Sequence, residues 1–222
     1  MEAREIRRIA RESLAGRWGN AVLVTLIAVL LGGVLVGSSS PSLNIDEEIL
    51  YRLPREIQAV IAAVAGILST YSLALFIIGG VIRQGYAVYL LKQYDRRDPQ
   101  ISDLFSQFDR FGDGFCLKFL ENLFVVLWGL LLIIPGIVKS YAYAMAPFIM
   151  AENPDMTARQ ALRASEELMN GHKAELFYLD LSFIGWGLLN ILTLGIGSLW
   201  LIPYHNAAWA AFYRNLRYAT VN

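Results

Sequence analysis

The stretch that decides the fold is Leu117–Met150, which reads LKFLENLFVVLWGLLLIIPGIVKSYAYAMAPFIM. As one straight helix these 34 residues would extend about 51 Å, whereas the hydrocarbon core of a bilayer is about 30 Å thick. Pro135 and Gly136 stand in the middle, where proline disfavours helix in the residue before it and glycine permits a turn. The stretch therefore predicts a hairpin of two helices, Leu117–Ile134 and Ile137–Met150.

A second stretch, Leu176–Phe212, has the same excess of apolar length. Its predicted turn is Thr193–Gly197, which contains two glycines. Each hairpin carries the sequence Trp-Gly-Leu-Leu before its turn, at Trp128–Leu131 and at Trp186–Leu189. The likeness indicates a weak internal repeat, although two hairpins in lipid can also share a composition.

Two further apolar segments, Asn20–Gly37 and Ala59–Ile82, precede the hairpins. The whole chain is 56% hydrophobic and only 17% charged, whereas a soluble domain carries roughly 25% charged residues. Six apolar segments of this length predict an all-α protein, a polytopic transmembrane helical bundle of about six spans that forms a single domain over residues 1–222.

The distribution of basic residues supports this count. Six spans place sixteen of the 19 lysines and arginines on the inner side and leave Arg52, Arg55 and Lys139 outside. Basic residues are enriched in cytoplasmic loops, so both termini are predicted to be cytoplasmic. Segment Ile137–Met150 is short for a full span, and a re-entrant helix is the alternative there.

The N-terminal segment, residues 1–18, is predicted to be an amphipathic interfacial helix. Its apolar face has helical spacing, and arginines cover the rest of the surface. The residues of that face are Ile6, Ile9, Ala10, Ser13 and Leu14. Such a helix is attracted to anionic membrane lipids on the inner leaflet, which are the predicted partners. The formal net charge of zero argues against nucleic acid as a partner, while a protein partner or a homo-oligomer remains open.

Two more cytoplasmic helical segments are predicted, at residues 95–115 and 155–171. The first has Ile101, Leu104, Phe105, Phe108 and Phe111 on one face, with Gly112 and Gly114 as its expected end. The second begins with Thr157-Ala158-Arg159-Gln160, which matches a capping box.

Polar and aromatic residues inside apolar segments are the candidates for function, because burying them in lipid is costly. The candidate ligand-binding residues are Trp128, Lys139, Tyr141, Trp186, Asn190, Tyr204, His205 and Asn206. We expect His205 to face the interior beside Trp128 or Trp186 and to line a polar pocket. Asp180 lies at the same predicted depth as Arg83 and Lys118, which predicts a structural ion pair between helices.

Motifs for catalysis and metal binding are missing from the sequence. There is no G-x-S-x-G, H-E-x-x-H, C-x-x-C or phosphate-binding loop, and the single Cys116 has no obvious base. The sequence therefore predicts a non-enzymatic protein without a metal or a cofactor.

Several motifs resemble the uncharacterised bacterial integral-membrane protein family numbered 975 among the domains of unknown function. The segments that carry the resemblance are Gly16–Gly19, Trp128–Tyr141, Met169–Lys173, Leu179–Trp186, Leu192–Gly197 and Ile202–Tyr204. The resemblance implies a protein of the bacterial cytoplasmic membrane and brings no catalytic residues. That family is also similar, more distantly, to the membrane domain attached to some glycerophosphodiester phosphodiesterases, which implies lipid-related work.

Three functions are compatible with these observations. The leading one is a membrane protein that binds or moves a lipid-like or amphiphilic molecule, or that supports envelope homeostasis. A small transporter or channel is the first alternative, because broken hairpins place binding sites near the midplane in transporters. A membrane scaffold for a partner protein is the second.

Overall fold

A computed structural model describes residues 2–33 and 53–221 of the chain, and this part is helical without a β-strand. The helices are α1 (Ala3–Leu14), α2 (Trp18–Leu30), α3 (Arg55–Tyr94), α4 (Phe111–Leu131), α5 (Ile133–Tyr143), α6 (Ala146–Glu152), α7 (Ala158–Leu168), α8 (Lys173–Leu181), α9 (Ile184–Leu192) and α10 (Ser198–Val221). The prediction of an all-α protein is confirmed for these residues.

Helix α1 is amphipathic and lies against the C-terminal helix. It buries Ile6, Ala10 and Leu14, and it packs on α10. Gly16 adopts a φ of 76°, a conformation that glycine reaches easily, and the chain bends by 101° between α1 and α2. The apolar face predicted to meet lipid is therefore covered, in its central part, by the protein itself.

Helix α3 is the longest element and forms the axis of the molecule. Its 40 residues extend about 60 Å. A Cβ added at Gly79, Gly80 or Gly85 would overlap backbone atoms of neighbouring segments, so glycine is required for their close approach. The second half of α3 is buried by these contacts, whereas residues 55–76 are largely exposed.

The first hairpin is present, but its turn lies earlier than the sequence predicts. Helices α4 and α5 pack together, and the break between them is Leu132, which has an extended backbone with φ −159° and ψ 137°. Pro135 stands instead in the first turn of α5, where a missing N–H costs little. Gly136 lies against Gly129, which allows the two helices to touch.

The second hairpin turns where the sequence predicts. Helix α9 ends at Leu192 and α10 begins at Ser198, with Leu194 and Gly195 at positive φ in the turn between them. The outgoing arm is bent, because α8 ends at Leu181 and α9 starts at Ile184. This bend and the turn hold α9 apart from α10 and open a groove between them.

The two segments that the sequence predicts to be cytoplasmic helices differ in outcome. Residues 95–115 do not form one helix: they contain short 3-10 helices at Ile101–Phe105 and Phe108–Arg110, followed by α4. Gly112 and Gly114 lie inside α4 and do not end a helix, because Gly114 packs closely on α3 at Val81. The second segment contains α7, and both capping-box hydrogen bonds of Thr157 are formed as predicted.

Several helices are suited in length and composition to cross a membrane. Among the described residues four helical stretches qualify, or up to five if the bent pair α1–α2 counts as one span. They are Arg55–Tyr94, Ile101–Leu131, Ile133–Glu152 and Lys173–Leu192. The count of six spans stays a prediction.

Candidate functional site

A groove lies between α9 and α10, and α1 and the start of α2 border one end of it. We call it the Trp groove, and its volume is about 530 Å³. It is lined by Arg11, Trp18, Trp186, Leu189, Asn190, Thr193, Gly197, Trp200, Leu201 and Tyr204.

Arg11 supplies the charge of the Trp groove. Its guanidinium carbon lies 6.0 Å from the centre of the Tyr204 ring, a cation–π arrangement. The Tyr204 hydroxyl donates to the Arg7 carbonyl oxygen over 3.2 Å, which fixes α1 on α10. Within residues 2–33 and 53–221, Arg11 has no carboxylate partner in an ion pair. The guanidinium is therefore available to an anion.

Away from Arg11 the Trp groove is almost wholly apolar. Trp186 of α9 and Trp200 of α10 both line it, and Trp18 packs beside Tyr204 with ring centres 6.4 Å apart. Gly197, at the far end, is seven residues from Tyr204, which corresponds to about 10 Å of helix. The result is an apolar channel with one cation at its mouth.

A second feature is a hydrogen-bonded cluster around the Asp180 carboxylate. Oδ1 accepts from His205 Nε2 over 2.8 Å and from Trp209 Nε1 over 2.8 Å. Oδ2 accepts from the Tyr141 hydroxyl over 2.9 Å. These three donors come from α5 and α10, so the carboxylate on α8 joins three helices.

The surroundings of this Asp180 cluster are packed. The ring centres of Phe183 and His205 are 4.5 Å apart, and Arg7 donates to the Ser182 carbonyl oxygen over 3.1 Å. Both carboxylate oxygens already accept hydrogen bonds. The arrangement is suited to holding helices together, since three donors stabilise a buried carboxylate.

The predicted ion pair of Asp180 with Arg83 or Lys118 is wrong. Arg83 donates to both carboxylate oxygens of Glu121 instead, over 2.5 and 3.1 Å. Lys118 donates to the Gly32 carbonyl oxygen over 3.2 Å, where α2 has just ended. Both basic residues therefore have their partners on other segments, at Glu121 of α4 for Arg83 and at the end of α2 for Lys118, and not on α8.

His205 does face the interior, but its neighbours differ from those predicted. The indole beside it is Trp209, with ring centres 6.2 Å apart, and neither Trp128 nor Trp186. His205 is also absent from the lining of the Trp groove. A packed histidine bonded to Asp180 replaces the polar pocket that we expected.

The remaining candidates fall in three places. Trp186, Asn190 and Tyr204 line the Trp groove. Lys139 pairs with Glu166 over 2.5 Å and lies 5.5 Å from the Trp128 ring centre, on the other hairpin. The final candidate, Asn206, is fully buried and donates to the Ile202 carbonyl oxygen.

Sequence reasoning missed Arg11, Trp18 and Trp200 as groove residues. Trp200 precedes Tyr204 by four residues, so both lie on one helical face, and this spacing is a signal that could have found it. Arg11 and Trp18 reach the groove only because α1 docks on α10, which no local pattern indicates.

The described residues contain no group of three or more His, Cys, Asp or Glu side chains that could hold an ion.

Comparison with known proteins gives one match. The family model described as "Protein of unknown function (DUF975)" matches residues 1–139 and 130–220, which together extend over nearly the whole chain. No curated protein and no solved structure matches the chain.

Proposed function

The chain belongs to the DUF975 family, whose function is unknown, and we propose that it is a non-enzymatic membrane protein that binds an anionic, lipid-like amphiphile in the Trp groove. The anionic headgroup lies at Arg11, and the apolar chain runs between the tryptophans towards the turn of the second hairpin.

The observation that carries this proposal is the position of Arg11 at the mouth of a groove whose lining is mostly apolar. An arginine binds phosphate or carboxylate through paired N–H donors. Tryptophan offers a broad apolar face and tolerates the membrane interface. A volume of about 530 Å³ lies within the range of about 300–1,000 Å³ that is typical of small-molecule sites.

The proposed location is the bacterial cytoplasmic membrane, with both termini in the cytoplasm. Its support is the number of long apolar helices together with the concentration of basic residues near one end of them. In that orientation Arg11 lies at the inner leaflet, where anionic lipids are available.

Fluorescence quenching by brominated lipid tests the binding. The full chain in detergent micelles is titrated with dibrominated phosphatidylglycerol or dibrominated phosphatidylcholine, and tryptophan emission is recorded. We expect phosphatidylglycerol to quench at a lower mole fraction. Arg11→Gln should raise its half-quenching fraction about tenfold, which corresponds to about 1.4 kcal/mol for a lost charge-assisted contact.

Arg8→Gln is the matched control, because Arg8 lies on the same helix, is exposed and does not line the groove. It should leave the half-quenching fraction unchanged. Equal quenching by the two lipids, in the wild-type protein and in Arg11→Gln alike, would show that the groove does not select an anionic amphiphile.

A further inference from the structure

The turns of both hairpins are apolar and exposed. Leu130 is 81% exposed at the first turn and Leu194 is 93% exposed at the second. No Asp, Glu, Lys or Arg occurs between Glu121 and Lys139 or between Asp180 and Arg214. A loop that emerges into water on the far side of a membrane usually carries charged side chains, whereas the large side chains exposed at these turns are leucine and isoleucine, so both turns are suited to an apolar solvent.

The second turn also satisfies its own backbone. Each N–H from Thr193 to Leu201 donates to an acceptor within the hairpin. The Thr193 side chain accepts from Gly197 N over 3.0 Å, and the Ser198 hydroxyl donates to Gly195 O over 2.6 Å. Backbone donors in hydrocarbon must find partners inside the protein, and this turn meets that requirement without water.

The first arm of the first hairpin extends only about half a bilayer beyond its last charged residue, Glu121. Arg83 and Glu121 pair at one level of α3 and α4. From Glu121 to Leu132 is eleven residues, or about 16 Å of helix, against about 30 Å of hydrocarbon.

The second hairpin has a similar reach. From Asp180 to Leu192 is twelve residues, or at most about 18 Å because the arm bends after Leu181. Helix α3 contrasts with both, since from Arg83 to Glu56 is 27 residues, about 40 Å, which is enough to cross.

An ion pair fixes the side of the membrane to which the first hairpin returns. Lys139, seven residues beyond the turn at Leu132, pairs with Glu166 of α7. Had the hairpin crossed the membrane, Lys139 would lie on the far face and Glu166 on the near one. With Lys139 on the side of α7, all of the 19 lysines and arginines except Arg52 and Arg55 share one face. The bias of basic residues is then stronger than in the arrangement with six spans.

We propose that both hairpins are re-entrant. Helix pairs α4–α5 and α9–α10 enter the hydrocarbon from the face that carries Glu166 and Asp180, turn near the middle of the bilayer, and return to the same face. The acyl chains of one leaflet cover the two turns. Among the described helices, α3 is then the one that crosses completely. This topology does not depend on whether the Trp groove binds an amphiphile.

Depth measurements in proteoliposomes test the topology. In a Cys116→Ser background, Leu132→Cys and Leu194→Cys each place one cysteine at a turn, where the native side chain is exposed and its loss leaves packing unchanged. An NBD label attached to each in detergent is then quenched by lipids that carry a nitroxide at different depths. We expect the strongest quenching from the nitroxide nearest the bilayer centre.

Accessibility from water gives the second readout. A membrane-impermeant maleimide should label neither turn cysteine from either side of the membrane. The controls Arg159→Cys and Glu56→Cys, both at exposed positions, should be labelled from opposite sides. Labelling of Leu132→Cys or Leu194→Cys from the side of Glu56 would establish crossing hairpins. Labelling from the side of Arg159 would place the turns in water, and either result would overturn the proposal.

Discussion

His205 Nε2 lies 2.8 Å from Asp180 Oδ1, and this hydrogen bond joins α10 to α8 across 25 residues of sequence. The same oxygen accepts from Trp209, one helical turn further along α10. The carboxylate is thus held by neutral or weakly basic donors and not by an arginine or a lysine. Replacing Asp180 by a side chain that accepts fewer hydrogen bonds should therefore weaken the contacts among α5, α8 and α10.

Asp180→Asn should lower the thermal stability of the purified protein. The amide keeps one acceptor but presents N–H donors to side chains that themselves donate, so at least one buried hydrogen bond is lost, at about 1–3 kcal/mol. The protein is heated in detergent to a series of temperatures. Size-exclusion chromatography then measures the fraction that stays folded at each temperature, which gives the melting midpoint. Asp98→Asn is the control, because Asp98 is exposed; equal midpoints for the two variants would contradict the structural role of the cluster.

Gly80→Ala should destabilise the contact between α3 and α4. The added Cβ would overlap the Gly114 carbonyl group, so the two helices must separate. Gly66→Ala is a matched control on the same helix, because nothing lies within 4 Å of a Cβ there. Alanine is the better helix former by about 1 kcal/mol, so the control should be neutral or slightly stabilising. We expect Gly80→Ala to lower the melting temperature and Gly66→Ala to leave it unchanged or raise it, and equal shifts in the two variants would refute the close packing.

Tyr213→Phe should change the dependence of stability on alkaline pH. Burial and the hydrogen bond to Glu152 raise the pKa of the Tyr213 hydroxyl. A pKa raised in the folded state contributes stability that is present below the ordinary value of about 10 and is lost as pH rises through the folded pKa. Melting curves from pH 8 to 11 should therefore show a smaller decline for Tyr213→Phe than for the wild-type protein. Tyr218→Phe, at an exposed position of the same helix, should behave like the wild-type protein.

Lys139→Cys combined with Glu166→Cys, in the Cys116→Ser background, should form a crosslink with a short bifunctional maleimide. The ion pair brings the two side chains into contact. The pair Lys139→Cys and Glu56→Cys is the control and should not react, since Glu56 begins the exposed half of α3. The protein is then cleaved between the two sites, and the fraction that still migrates as one joined product on a denaturing gel gives the yield of crosslinking. If Lys139→Cys and Glu166→Cys do not crosslink, α5, the return arm of the first hairpin, lies away from α7.

The hairpins were predictable because length and turn residues are local properties of the sequence. The second turn lies where Gly195 and Gly197 indicate it. The first lies at Leu132 and not at Pro135, because proline is tolerated within the first helical turn, and the break therefore precedes it.

Much of the Trp groove and the partner of Asp180 were not predictable in this way. Trp186 and Tyr204 were identified as unusual residues in apolar helices, but Arg11 joins them only through the docking of α1. The pairing of Asp180 with His205 depends on which helices are neighbours, and counting depth along each helix does not supply that information. In both cases the sequence does not reveal which distant segments of the chain pack together.

The hydrogen bond from Tyr204 to Arg7 connects residues that are 197 positions apart, and it has a consequence for biosynthesis. Ribosomes add about 5–20 residues per second, so α1 waits about 10–40 s before α10 exists. During that interval the apolar side chains Ile6, Ala10 and Leu14 lack α10, the helix against which α1 mainly packs. At the proposed membrane location, we expect the nascent helix to lie on the bilayer surface and to exchange lipid for α10 when the last helix is released.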